Sequence, residues 1–90
     1  MRTNEAITNE IETLKKMKPT VRRESAFGDN HHNSIDAQVR VLENRWTSEE
    51  TEDRYESAPD NVRDSALQAA YWLHEDSDDL PSADWESLVQ

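Results

Sequence analysis

The sequence predicts an all-α protein, a small bundle of four to five short helices with an extended N-terminal linker region at about residues 20–32. Two observations carry that reading. Apolar residues recur at three- and four-residue spacing in successive windows, which is the period of a helix with one buried face. Between those windows stand residues that stop or start helices: Pro19, the Thr47-Ser48-Glu49-Glu50 string, Pro59, and Pro81-Ser82. A third observation bounds the fold: with no cysteine among 90 residues, neither disulfides nor Cys-ligated zinc can staple it.

The first helix is expected over 4–17, with Ile7, Ile11, Leu14 and Met17 on one stripe and Lys15, Lys16 and Lys18 at the end that favours cations. Pro19 stops it. Residues 1–19 form a segment that docks on the body, pairs with a second copy or frays, because so short an amphipathic helix is marginal alone. Residues 20–32, TVRRESAFGDNHH, lose the helical period and read as the linker, with Phe27 reaching the core and Gly28-Asp29-Asn30 as a turn.

The body is assigned to 33–90. Its first helix spans 34–45, capped by Asn33 or Ser34, with Ile35, Val39, Leu42 and Trp46 on the core stripe and Ala37 and Val41 beside them. Thr47 to Glu50 is a capping box opening a third helix over roughly 48–57. That helix is polar nearly all round, anchored by Tyr55, Trp46 and Ala58. The fourth begins at Asp60 or Asn61 and places Val62, Ala66, Ala69, Ala70 and Leu73 on one face, widened by Leu67 and Tyr71, with Trp72 exposed at its side. Its alanines allow close approach, so it is expected to be the most buried element. A last short helix, capped by Ser82, carries Trp85, Leu88 and Val89.

The charge is divided along the chain. Residues 1–46 hold eight Lys/Arg and seven Asp/Glu; residues 47–90 hold two and thirteen. The back half is therefore an acidic body at −11 in a chain of net charge −10. Such a field repels nucleic acid and anionic membranes and attracts basic surfaces. No apolar run reaches the length of a membrane span, and residues 1–16 lack the apolar core of a secretory signal. A soluble protein of the cytoplasm is expected.

Sites of chemistry are sparse. His31, His32, Asp29 and His74 are the one set that suggests metal, but no His-x-x-x-His pair shares a helix face. The NHHN string is similar to the His-Asn-His nuclease motif without the strands and further ligands that motif needs. An EF-hand register from Asp76 fails at Leu80, Pro81 and Ser87. No glycine-flanked nucleophile or phosphate-cradling loop is present. Neither enzyme activity nor a cofactor nor a bound metal is expected.

The acidic surface remains. Glu49, Glu50, Glu52, Asp53, Glu56, Asp60, Asp64, Asp76, Asp78 and Asp79 are candidates for a phosphate-like array facing a basic groove. Plain solubility explains the same charges. Apolar contact between copies, through Ile7, Ile11, Leu14 and an exposed Trp72, is the alternative, giving a homodimer or adaptor. Arg22 and Arg23 form the densest basic spot besides the lysines, but direct nucleic-acid binding is not expected.

The strings SAFGDNHHNSIDAQVRVLENRW at 25–46 and DSALQAAYWLHEDSDDLPSADWESLV at the end resemble small acidic proteins of unassigned role encoded by tailed phages and prophages of enteric bacteria. The resemblance implies an early accessory factor acting on a host or rival-defence protein, and it brings no catalytic residues with it.

Overall fold

The computed structural model describes residues 1–18, 28–74, 78 and 80–82, with the side chains of 28–31 excepted. Within them stand four helices, α1 (Asn4–Met17), α2 (Gly28–Asn44), α3 (Ser48–Arg54) and α4 (Asp60–His74), and no strand. The all-α expectation holds. The expected last helix, with Trp85, Leu88 and Val89, lies outside the described residues, as do Phe27, Arg22 and Arg23.

α2 is the hub. It packs against both α1 and α4, whereas α3 rests on α4. Ile35, Val41 and Leu42 are fully buried, Ala37 and Val39 nearly so, and Ser34 and Gln38 join them on the inner surface. A helix with neighbours on two sides must bury more than one stripe, and polar residues are drawn in with the apolar ones. The expectation that α4 would be the most buried element is corrected accordingly. α4 contributes one face, Val62, Ala66, Ala69, Ala70, Trp72 and Leu73, and leaves Tyr71 exposed. Its alanines let it approach α2 closely.

α1 packs on α2 through Ile7 and Leu14, both fully buried, with Ile11 and Met17 half-buried beside them. Thr3 caps it, its Oγ1 accepting from the Ala6 N–H at 3.1 Å. Lys18 clamps the far end to α2, its Nζ reaching both Asp36 carboxylate oxygens at 2.7 and 3.0 Å. The radius of gyration, 12.2 Å, is that of a fully collapsed chain of this length, about 2.2 Å times the 0.38 power of residue number.

Two boundaries differ from expectation. α2 starts at Gly28 rather than at 33 or 34, so Gly28-Asp29-Asn30 is the first turn of a helix and not a turn in a linker. With only one glycine to mark the spot, turn chemistry at the sequence level could not be told from a helix opening. α3 ends at Arg54, short of 57, and residues 55–58 turn. Asp60 is the first residue of α4, and the Pro59 carbonyl accepts its opening bond from the Arg63 N–H at 3.0 Å.

Helix C-termini are closed by basic side chains. α2 ends with Arg45 in the left-handed region, φ 56°, and Trp46 N–H bonding back to the Val41 carbonyl at 3.2 Å. This is the Schellman closure usually given to glycine. The Arg45 guanidinium compensates by donating to the Leu42 and Glu43 carbonyls. At the end of α4 the chain's own beginning supplies the partner. Arg2 donates its backbone N–H to the Leu73 carbonyl at 3.1 Å and its Nε to the Trp72 carbonyl at 2.9 Å, and its guanidinium lies 5.0 Å from the Trp72 ring centroid. A cation at that end also meets the negative pole of the helix dipole. Replacing Arg2 with Ala removes one charge-assisted bond and the ring contact. It is expected to lower stability in urea by about 1–2 kcal/mol, with Arg2→Lys recovering only part.

Candidate functional site

The acidic candidates are positioned by α3, and α3 is positioned by an aromatic corner. Trp46, just past the end of α2, sits 6.4 Å from Tyr55 at a 60° tilt. Arg54 lies over the other ring system's π-cloud, 4.3 Å from the Trp46 centroid. His74 Nε2 donates to the Trp46 carbonyl at 3.0 Å, tying the corner to the end of α4. Thr51 is fully buried under the helix and its hydroxyl donates to the Thr47 carbonyl at 2.8 Å. Thr47 caps the helix as expected, its Oγ1 accepting from the Glu50 N–H at 3.2 Å, and the Glu50 carboxylate turns back to accept from the Thr47 hydroxyl at 3.3 Å.

With Thr51 and Tyr55 turned inward, the remaining positions follow from about 100° per residue. Glu49, Glu50, Glu52 and Asp53 fan across the outward half of the helix, Glu56 follows in the turn after it, and all five are exposed. The four carboxylates from Glu49 to Asp53 fit within about 6 Å of helix rise. Among the described residues, none of these five acids forms an ion pair. Like charges at i,i+3 and i,i+4 oppose helix formation by roughly 0.2–0.5 kcal/mol per pair. Glu49 and Glu50 are favoured by the N-terminal end of the helix dipole, and Glu50 also accepts from Thr47, whereas Glu52 and Asp53 have no such compensation.

Asp60 and Asp64 are exposed at the start of α4, Asp60 paired with Arg63 at 2.7 Å, and Asp78 is exposed beyond its end. Asp76 and Asp79 lie outside the described residues. The apolar candidates are placed differently from expectation. Trp72, expected exposed, is 4% accessible, and Ile7 and Leu14 are fully buried in the protein's own core. Ile11 is half-buried there. The side chain that α4 turns outward is Tyr71, one position away from Trp72, a difference of about 100° that a stripe broad enough to include both could not resolve. His32 is buried within α2, His74 is engaged at Trp46, and the described residues contain no cluster of three or more metal-ligating side chains. No described helix is long and apolar enough to cross a membrane.

Several residues at this site escaped the sequence reading. Arg54 and His74 fix the orientation of α3 through Trp46, and Thr51 supplies its buried contact. Only the spacing of Thr51 and Tyr55, four apart, signals that one side of this polar helix faces inward.

Burial raises the Tyr55 phenol above its ordinary pKa of 10.0, against the opposing pull of Arg40 and Arg54. A raised folded-state value means that the folded protein holds this proton more tightly than the unfolded chain. Stability is then complete below pH about 10 and falls as pH rises through the folded value. Urea unfolding followed from pH 8 upward is expected to show that alkaline decline, and Tyr55→Phe to flatten it. Compared with protein-family models, with curated proteins and with solved structures, the chain matches none.

Proposed function

We propose that this is a non-enzymatic phage accessory protein that binds a nucleic-acid-handling protein of the host or of a rival defence system through the acidic face of α3, and inhibits or modulates it by presenting charge where that protein expects phosphates. The observation that carries the reading is the disposition of charge. Arg2, Lys15, Lys18, Arg45, Arg54 and Arg63 each engage a carbonyl, a carboxylate or a ring of this same chain. The carboxylates of α3 engage none of these cations and point outward.

The spacing suits the role. A DNA strand carries one charge per 3.4 Å of axis, and its partners draw most of their affinity from Lys and Arg set against that spacing. Four carboxylates in about 6 Å of rise offer at least as dense a target on a scaffold fixed by the Thr47 cap and the aromatic corner. Screening over about 8 Å at physiological salt confines recognition to close contact, so a fixed array matters more than net charge. The adaptor alternative is disfavoured, because the apolar side chains it needs are consumed in the core.

Immobilised protein exposed to bacterial lysate is expected to retain a nucleic-acid-binding enzyme that short duplex DNA displaces. Retention should fall steeply between about 50 and 200 mM salt and disappear for the triple variant Glu49→Lys, Glu52→Lys, Asp53→Lys. The three lysines repel one another as the acids did, and Lys at position 49 opposes the helix dipole, so the variant Glu49→Gln, Glu52→Gln, Asp53→Asn is tested beside it and is also expected to lose retention while staying folded. Retention that survives both the triple reversal and excess duplex would contradict the proposal.

A further inference from the structure

Away from the acidic face, α2 and the turn between α3 and α4 enclose an open cleft of about 320 Å³, at the lower end of the range for small-ligand sites. Its floor is apolar, formed by Ala37, Pro59 and Val62, and its wall holds Arg40, Tyr55 and Asp36. We propose that this cleft binds a small organic carboxylate with an apolar body, the carboxylate meeting the Arg40 guanidinium and the Tyr55 hydroxyl.

Charge decides between an anion and a cation. Asp36 is the acidic group on the wall, and Lys18 clamps both of its oxygens. Asp60, next to Pro59, is held by Arg63. Arg40 is exposed and takes part in none of the ion pairs among the described residues. Arg54 adds to the same local field, since both guanidiniums act on the Tyr55 phenol. Arg40 is thus the charged group of the cleft wall that no described carboxylate pairs with, whereas Asp36, which also acts on the Tyr55 phenol, is already held by Lys18.

The hydrogen-bonding groups agree. The Tyr55 side chain is half-buried, and none of the described hydrogen bonds uses its hydroxyl, although buried phenols ordinarily find a partner. Burial holds that phenol in its protonated form at neutral pH, so it donates to an acceptor such as a carboxylate. A guanidinium gives the paired donors that match a carboxylate's two oxygens. The floor then takes the apolar part of the ligand, which a bare inorganic anion would leave unused.

Amide-resolved NMR titration of the full chain with sodium benzoate, benzamide and benzamidine at constant ionic strength tests this. Benzoate is expected to give saturable shifts at the Ala37, Arg40, Tyr55 and Val62 amides with a Kd on the order of 1 mM, as its few heavy atoms allow. Benzamide should bind at least about tenfold more weakly, Arg40→Gln should weaken benzoate by a similar factor, and Arg40→Lys should restore part. Arg40 is exposed, so the folded spectrum of each variant serves as its own control. Equal binding of benzamide, preference for benzamidine, unchanged affinity in Arg40→Gln or shifts that never saturate would each overturn the proposal.

Discussion

The arrangement depends on one packing constraint: α2 must fill the space between α1 and α4 at once. Ile35, Val41 and Leu42 are fully enclosed there, against Ile7 and Leu14 on one side and Ala66, Ala69 and Leu73 on the other. In a chain this small, about a third or more of the unfolded surface stays wet after folding, and the described residues form a single core cluster. Each large side chain at this junction accounts for a few kcal/mol, a large fraction of a typical total stability of about 5–15 kcal/mol.

That economy of core explains how the cations are used. Short helices leave four carbonyls open at each C-terminus, and at the ends of α2 and α4 arginines meet some of them. Arg45 does so locally in a left-handed conformation, and Arg2 does so across the whole length of the chain. Lys18 and Arg63 neutralise the carboxylates nearest the helix junctions. Arg40 and Lys16 stay exposed outside those pairs, and the exposed acids are densest on α3, which packs mainly on α4. Folding and the proposed recognition thus draw on different parts of the molecule, and α3 can be recharged without disturbing the α1–α2–α4 packing.

Much of this was legible in the sequence because it rests on local rules. The Ile35, Val39 and Leu42 stripe, the Thr47 cap and the Val62, Ala66, Ala69, Ala70, Leu73 face are each set by spacing within a few residues, and each is found. The misplacements arise where tertiary contact decides. Trp72 is enclosed in part by a contact from Arg2, seventy residues earlier, which no spacing within α4 reveals. The central position of α2 depends on α1 and α4 both packing against it, and no spacing within α2 reveals two neighbours. The cleft at Arg40 and Tyr55 joins residues from two helices and a turn, and no local spacing signals it.

The central claim is that the carboxylates of α3 form an array that no described cation pairs with and that the fold tolerates. The most direct test is urea unfolding of the parent protein over a series of sodium chloride concentrations from about 10 mM to about 500 mM, across which the Debye length falls from about 30 Å to a few ångströms. Mutual repulsion predicts that stability rises as salt screens it, and that Glu52→Lys removes much of the rise. Stability that falls with added salt would mean that the acids are held in favourable pairs, and the account would be wrong.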